Sequence, residues 1–221
     1  YEARNKLGGG LIASAAPPGK DKFDWYRDYL VRRLEHSHVQ VHLDARIDAA
    51  KLIAMKPDRV FIAAGTQRRP MEVEGINGPN VLDSYEVLMG EQKHGLTTGQ
   101  SVIVYGGGET GCETAEYFAK LGLTVTLVTR SSEQDLARAA EFVYRKMLID
   151  RLLKNDQISI IANARITRID ESGVDLLRQD GETLRVAAER VVIAQGRDPD
   201  SALVDEILAA GIPCYVIGDS R

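Results

Sequence analysis

A short glycine pattern near the middle of the chain combines residue types and spacing that suit phosphate binding. It is a G-x-G-x-x-G run made by Gly106, Gly108 and Gly111, directly after the apolar residues 101–105 and ahead of a helical run. In this setting the first glycine permits a tight turn, the second lets a pyrophosphate approach the backbone, and the third lets helix and strand pack closely. The helix start adds free N–H groups and a positive dipole end. The pattern predicts a dinucleotide site formed by Gly106, Gly107, Gly108, Thr110 and Gly111.

The residue after the next predicted strand indicates which nucleotide would bind. An NAD site carries an acid about 20 positions on, for the ribose hydroxyls, whereas an arginine suits a 2′-phosphate. This chain has Arg130 there and no acid before Glu133. We therefore favour NADP(H), with a solvated surface arginine as the alternative. For the motif as a whole, a glycine-rich turn that binds nothing and a vestigial site that only holds the fold also stay open.

Acidic and glycine residues elsewhere end predicted strands. Glu2 lies where a dinucleotide fold places the acid that binds an adenosine ribose, although alone it is only a charge at a strand end. Buried strands are predicted to end at Gly65 and at Gly196, where the backbone can lie close to a ligand or to another segment. Asp219 comes just past a strand's carboxyl end, the usual crevice for ligands in parallel sheets. These pieces predict a second dinucleotide-type domain.

Composition excludes several functional classes. The chain has 44% hydrophobic and 27% charged residues and a formal net charge of −4, so neither nucleic acid nor an anionic membrane is an expected partner. No apolar run reaches the roughly 18 residues of a membrane span, and no secretory signal is visible. Cys112 and Cys214 lack the spacing of a disulfide scaffold or a metal site. We expect a cytoplasmic protein with dinucleotide partners and no metal.

Five segments taken together resemble the pyridine-nucleotide–flavin oxidoreductases: GGGLIASAAPPGK, IAAGTQRRP, VYGGGETGCETA, IAQGRDP and YVIGD. More narrowly, they resemble the C-terminal half of the 2,4-dienoyl-CoA reductase, trimethylamine dehydrogenase and histamine dehydrogenase group. The resemblance spans essentially the whole chain, and the PPGK loop is its most specific point. It implies NAD(P)H and FAD as cofactors of the intact protein, with an FMN site and an iron–sulfur cluster possible in a missing N-terminal part.

The resemblance also implies roles for single residues. Glu113, in the G-x-G-x-x-G-x-E pattern, would sit toward the nicotinamide. The positions along FAD would be Glu2 at the adenosine ribose, Gly8 and Gly9 beside the cofactor, Ala64 and Gly65 near the adenine nucleotide, and Gly218 and Asp219 at the ribityl and pyrophosphate. The family's FAD fingerprint should precede Glu2 and is absent, so we do not expect this chain to retain FAD by itself. The paired cysteines of disulfide reductases are absent as well.

Strands that alternate with helices predict an α/β fold with two Rossmann-like, FAD- and NAD(P)-binding domains. Parallel sheets with helices on both faces are expected. Residues 96–186 would form the NAD(P)-binding domain, and residues 1–95 and 187–221 would form the two segments of an FAD-binding-type domain. Because the chain opens at Tyr1 without Met and closes just after a strand-like run, both ends look cut. The FAD-type domain is therefore expected to be incomplete.

The function predicted from these observations is electron transfer. We expect a fragment, inactive alone, of an enzyme that passes hydride or electrons from NAD(P)H through FAD to a further centre. No side chain is assigned as a catalytic acid or base, because the flavin carries the chemistry. One alternative is a non-catalytic module with a vestigial NAD site, as in trimethylamine dehydrogenase-like proteins. The other is an oxidoreductase similar to the small subunit of glutamate synthase.

Overall fold

The computed structural model describes residues 1–221. Contacts between residues divide the chain into two compact units. The first unit consists of Tyr1–Ile12, Phe23–Arg69 and Arg197–Arg221, and the second of Ala13–Lys22 and Pro70–Gly196. The predicted nucleotide-binding domains stay a prediction, since the two units are defined by contacts and not by what they bind.

Helices and strands alternate along most of the chain. The helices are α1 (Gly10–Ala15), α2 (Lys22–Glu35), α3 (Ala49–Ala54), α4 (Ser84–Leu88), α5 (Glu109–Lys120), α6 (Phe142–Leu153) and α7 (Ala202–Ala209). The strands are β1 (Val60–Ile62), β2 (Thr66–Arg68), β3 (Val81–Asp83), β4 (Ser101–Tyr105), β5 (Thr124–Val128), β6 (Ile158–Ile161), β7 (Ala164–Asp170), β8 (Gly173–Arg178), β9 (Thr183–Ala187), β10 (Arg190–Ile193), β11 (Arg197–Pro199) and β12 (Cys214–Val216). Single 3₁₀ turns lie at Glu133–Asp135 and Gly218–Ser220. None of the helices combines the length and the apolar character that a bilayer crossing requires.

The second unit is built on a five-stranded parallel sheet in the order β3-β10-β4-β5-β6. Its inner strands, β10, β4 and β5, are apolar and largely buried along their length. Such continuous apolar runs are typical of parallel strands covered on both faces. The strand–helix–strand order from β4 through α5 to β5 places the glycine pattern at the carboxyl end of β4. The predicted α/β class is confirmed.

The two faces of this sheet are covered by different kinds of structure. On one face Val102 and Val104 pack against helices α5 and α6, with Phe118 fully buried between the layers. On the other face Ile103 packs with Leu176 of an antiparallel sheet formed by β7, β8 and β9. Helices were expected on both faces; in the second unit one face is covered by helices and the other by the three-stranded sheet. The three strands after β6 pair with one another and pack an apolar side against the parallel sheet.

Strand β10 lies between β3 and β4, with its register running from Arg190 beside Val102 to Ile193 beside Tyr105. Residues from 187 onward were expected in the flanking domain, whereas β10 completes the sheet of the second unit. Its Val191, Val192 and Ile193 are buried. The sequence shows that this run is a strand, but its neighbours in the sheet are distant in the chain and carry no local signal.

The first unit contains two small sheets. Strand β1 pairs with β12 in parallel, and β2 pairs with β11 antiparallel. A small core around fully buried Ile207 of α7 joins Val60 and Ile62 of β1 to Ala49 of α3. This unit therefore keeps a parallel strand pair with helices packed against it.

Candidate nucleotide-binding site

Gly106 and Gly111 have backbone surroundings that exclude any side chain. Gly106 has a φ of 140°, and a Cβ atom added there would lie 2.2 Å from the carbonyl oxygen of Ala194. A Cβ on Gly111 would lie 1.8 Å from the carbonyl oxygen of Gly106. The first glycine thus makes the turn out of β4, and the second lets α5 pack directly onto that turn, as the sequence pattern predicts.

Gly108 differs, because nothing in the protein occupies the space beside it. It is the N-cap of α5, its φ of −72° is ordinary, and a Cβ added there meets no atom within 4 Å. The backbone N–H groups of the first helical turn, at Glu109, Thr110 and Gly111, have no acceptor within the protein. We call this surface, made by the backbone of residues 107–111, the amide cradle. It presents free donors and the positive end of the α5 dipole to open space, which is the arrangement that binds phosphate.

The amide cradle is held in place by packing and by hydrogen bonds. The inner side of α5 buries Cys112, Ala115 and Phe118 completely in the core of the second unit. The carbonyl oxygen of Gly107 accepts a hydrogen bond of 2.8 Å from the N–H of Ala137, in the loop after the first 3₁₀ turn. The cradle is therefore preorganised, and a ligand would not have to order it.

Two arginines lie beyond the end of β5. Arg130 is exposed and forms no ion pair or hydrogen bond within the protein, and Arg165 of β7 is likewise exposed and unpaired. Both act electrostatically on the hydroxyl of Tyr105, whose pKa is raised by burial and lowered in part by the two guanidinium groups. Sequence reasoning identified Arg130 only. Arg165 was missed because the pairing of Asn163 with the backbone of Ser131 brings β7 to this loop, and that contact is not local.

Glu113 lies on α5 one turn beyond Glu109, and its side chain is only 8% exposed. Lys20 forms a salt bridge to its Oε1 atom and a second one of 3.3 Å to Glu109. The hydroxyl of Tyr144 donates a hydrogen bond of 2.6 Å to the same Oε1 atom. Burial raises the pKa of Glu113, and the bonds from Lys20 and Tyr144 oppose that rise. We call these three residues the Glu113 cluster.

Sequence reasoning found Glu113 but not its two partners. Lys20 ends the PPGK loop, which was the most specific point of the family resemblance, yet no role was assigned to it. Tyr144 had no signal at all, since it lies in a helix where a half-buried tyrosine is ordinary. Both partners are far from Glu113 along the chain, so only the fold brings them together.

The candidate FAD residues lie in the first unit, except Gly196. The N–H of Gly65 donates a hydrogen bond of 2.6 Å to the hydroxyl of Ser220, a buried residue that sequence reasoning missed. A Cβ on Gly10 would lie 3.9 Å from the carboxylate of Asp219, so the turn with Gly218 also adjoins the N-terminal glycine loop. Gly8 lies beside the Arg27 side chain, whereas a Cβ added at Gly9 would meet no atom within 4 Å. Ala64 and Gly196 are exposed, and Gly196, with a φ of 91°, is the last residue of the second unit.

Glu2 is placed differently from these residues. Its carboxylate accepts a hydrogen bond of 2.8 Å from the N–H of Arg4, and its own N–H donates to the carbonyl oxygen of His42 at 2.9 Å. Its contacts therefore join it to neighbouring backbone, and no hydrogen bond links it to the glycine loop or to Asp219.

Comparison with known proteins identifies the family. The family model described as pyridine nucleotide-disulphide oxidoreductase matches residues 18–219. An NADH oxidase of Thermoanaerobacter brockii is 34% identical over 100% of this chain and 34% of its own length. A bilirubin reductase of Mediterraneibacter gnavus (strain CC55_001C) is 30% identical over 99% of this chain and 33% of its own length. A 2-naphthoyl-CoA reductase complex shares the fold, with a TM-score of 0.88 at 24% identity over 99% of this chain and 32% of that chain.

The chain thus spans about a third of the length of the curated relatives it matches. The family match covers most of the chain and includes the amide cradle, the Glu113 cluster and the turn at Asp219. The family's cofactors are FAD and NAD(P)H. On this match, the chain belongs to the pyridine nucleotide-disulphide oxidoreductase family.

Proposed function

We propose that this chain supplies the NAD(P)H-binding and part of the FAD-binding machinery of a flavoprotein oxidoreductase. In the complete protein, hydride from NAD(P)H would pass through FAD to a further centre. The observation that carries the proposal is the amide cradle, which is open at Gly108 and keeps unbonded N–H groups at the start of α5. A side chain or loop seated on the cradle would favour the vestigial alternative, and a Cβ added at Gly108 meets no protein atom within 4 Å.

The residues of the second unit would divide the work of binding the nucleotide. Backbone amides of the cradle would hold the pyrophosphate, with Gly106, Gly107, Gly108, Thr110 and Gly111 as its lining. Arg130 would bind a 2′-phosphate, and its lack of any partner in the protein supports NADPH as a ligand. Glu113, held by Lys20, would face the nicotinamide end. When bound, the nicotinamide would supply the hydride, and these residues would position it.

The residues of the first unit would contribute to the FAD site. The turn of Gly218 and Asp219 adjoins the glycine loop at Gly10, and Gly65 is tied to the same turn through Ser220. A carboxylate beside glycine backbone can accept hydrogen bonds from ribityl or ribose hydroxyls while the glycines allow close approach. We include Glu2, Gly8, Gly9, Ala64 and Gly196 in this proposal on the family resemblance.

The electron acceptor is proposed from the resemblance to the 2,4-dienoyl-CoA reductase group. The curated relatives carry names for different activities, an NADH oxidase and a bilirubin reductase, which suits a shared electron-input part joined to variable partners. An FMN site and an iron–sulfur cluster in the rest of such a protein belong to this proposal. Disulphide chemistry is not supported by this chain, because Cys112 and Cys214 are both free and Cys112 is buried in α5.

Titration calorimetry of the chain with NADPH and with NADH tests the proposal. Wild type should bind saturably, and Gly108→Ala should weaken binding roughly 10- to 100-fold, because a methyl group on the cradle displaces phosphate from charge-assisted hydrogen bonds of about 1.5–3 kcal/mol each. The added methyl meets no protein atom, so the fold should be unchanged. Lys120→Ala, at the far end of α5, is the matched control. Absence of binding by both nucleotides would favour a non-catalytic module.

A further inference from the structure

Tyr144 belongs to a different element from the amide cradle, yet it contacts the buried carboxylate that the cradle helix carries. Its hydroxyl lies 2.6 Å from Glu113 Oε1, and the Nζ atom of Lys20 lies 4.5 Å from the centre of its ring. The three side chains of the Glu113 cluster therefore each touch the other two. Such a closed set fixes the orientation of a carboxylate better than a single ion pair does.

The backbone of Tyr144 is also held. Helix α6 begins at Phe142, and the carboxylate of its N-cap, Glu141, accepts hydrogen bonds from the N–H groups of Val143 at 3.0 Å and Tyr144 at 2.9 Å. Leu148 and Leu152 of the same helix are buried in the core. The tyrosine hydroxyl is thus presented to Glu113 from a rigid position.

Both donors of the cluster bind the same carboxylate oxygen. Lys20 and Tyr144 converge on Oε1 of Glu113, and Oε2 receives no hydrogen bond from the protein. A carboxylate has acceptor capacity on both oxygens, so Oε2 stays available to a donor on a ligand. Without the tyrosine hydroxyl, Lys20 alone could bind either oxygen and the carboxylate could turn.

We propose that Tyr144 is a positioning residue of the nucleotide site, which holds Glu113 so that one oxygen pairs with Lys20 and the other faces the nicotinamide end of the ligand. This inference rests on the proposed function, because the orientation matters only if a dinucleotide binds there. Tyr144 would act through the carboxylate that it contacts, so its role is to position Glu113.

The charges around Glu113 set the direction of the pH effect. The groups that face it are Lys20, Tyr144, Glu109 and Cys112, and burial raises the pKa of the Cys112 thiol to about 12, which keeps it neutral. Burial and the bond to Glu113 raise the pKa of Tyr144, and Arg151 of α6, which pairs with Glu116, partly opposes that rise. The hydrogen bond from Tyr144 lowers the pKa of Glu113 against the effect of burial. Removing this hydrogen bond should therefore raise the pKa of Glu113. On acidification, the Glu113 carboxylate should then take up its proton at a higher pH than in wild type.

The test is Tyr144→Phe, which removes the hydroxyl and keeps the ring beneath Lys20. Carbon-13 NMR of the Glu113 carboxyl in the chain without nucleotide should show its pKa raised above that of wild type. NADPH affinity should be roughly three- to tenfold weaker than wild type near pH 8.5, because the ionised carboxylate is free to turn, and weaker still near pH 6. Tyr117→Phe is the matched control, because Tyr117 of α5 is half-buried like Tyr144 and its hydroxyl forms no hydrogen bond to the cluster.

The two readouts separate this inference from the proposed function. The positioning role would be overturned if the pKa of Glu113 in Tyr144→Phe equals that of wild type. It would also be overturned if NADPH affinity falls toward low pH in the variant just as it does in wild type. Failure of wild type to bind either nucleotide at any pH would overturn the proposed function, whatever the carboxyl titration shows. We expect Tyr144→Phe to raise the pKa of Glu113 and to move the loss of NADPH affinity to higher pH. Tyr117→Phe should show neither change.

Discussion

Replacing Lys20 with methionine should reveal how strongly the fold of the second unit depends on this one cation. The side chains of Lys20 and Glu113 are 16% and 8% exposed, so the pair is largely shielded from water. Removal of one partner from a buried pair costs about 3–5 kcal/mol. Because Lys20 keeps some exposure and Tyr144 still binds the carboxylate, we expect a loss of roughly 2–3 kcal/mol in the free energy of unfolding at pH 8.

The pH dependence distinguishes a lost charge from lost packing. Burial already raises the pKa of Glu113 above its unfolded value, and loss of Lys20 raises it further. A carboxyl group with a raised folded pKa binds protons more tightly in the folded state. The buried carboxylate therefore costs no stability below the pKa that Glu113 has in the unfolded chain. The cost grows as the pH rises from that value toward the pKa of Glu113 in the folded chain. Near the ordinary glutamate pKa of about 4.3, Lys20→Met should cost less than about 1 kcal/mol.

Urea unfolding followed by far-UV circular dichroism at pH 8 and near pH 4.3 measures both values. The double variant Lys20→Met/Glu113→Gln should recover most of the loss at pH 8, because it leaves no buried charge unpaired. Lys120→Met, an exposed lysine on α5, controls for the removal of a positive charge. An equal loss at both pH values, with no recovery in the double variant, would refute the electrostatic account.

Substitutions at other positions probe the phosphate loop, the ribose end and the buried thiol. Gly111→Ala should lower the free energy of unfolding by more than about 3 kcal/mol, since its methyl group would meet the Gly106 carbonyl at 1.8 Å; a stable, soluble variant would contradict the packing described. Arg130→Glu should shift the ratio of NADPH to NADH affinity at least about tenfold toward NADH, and an unchanged ratio would remove Arg130 from the site. A thiol reagent should label Cys214 but not Cys112 in the folded chain, because burial raises the pKa of Cys112 to about 12.

The sequence was informative wherever the relevant residues are neighbours in the chain. The turn at Gly106, the start of α5 and the following strand β5 lie within one short segment, and their spacing alone predicts the strand–turn–helix and the phosphate site. The α/β class followed from the same alternation. Such a local pattern predicts both the backbone conformation and the ligand class, because the geometry at Gly106 and Gly111 allows only glycine.

Features built from distant segments could not be predicted in the same way. Lys20 meets Glu113 across 93 positions and Tyr144 meets it across 31, and nothing local marks either residue as a partner. The sequence predicts the strands of the three-stranded sheet, which covers one face of the parallel sheet. It does not predict which side of that sheet packs against the parallel sheet, because this depends on tertiary contacts. The position of β10 in the sheet depends on β3 and β4, which no alternation pattern links to it.

The place of β10 has a consequence for the order in which the second unit assembles. Strands β3 and β4 are adjacent in the chain but not in the sheet, and the strand that must lie between them is made after the entire β7–β9 segment. Until β10 arrives, both carry unsatisfied edges that invite pairing with other chains. Such late, non-local closure slows folding and lengthens the exposure of these edges on the ribosome. A nascent chain of this protein is therefore expected to be prone to aggregation from the emergence of β4 until Arg190–Ile193 have left the ribosome and can pair.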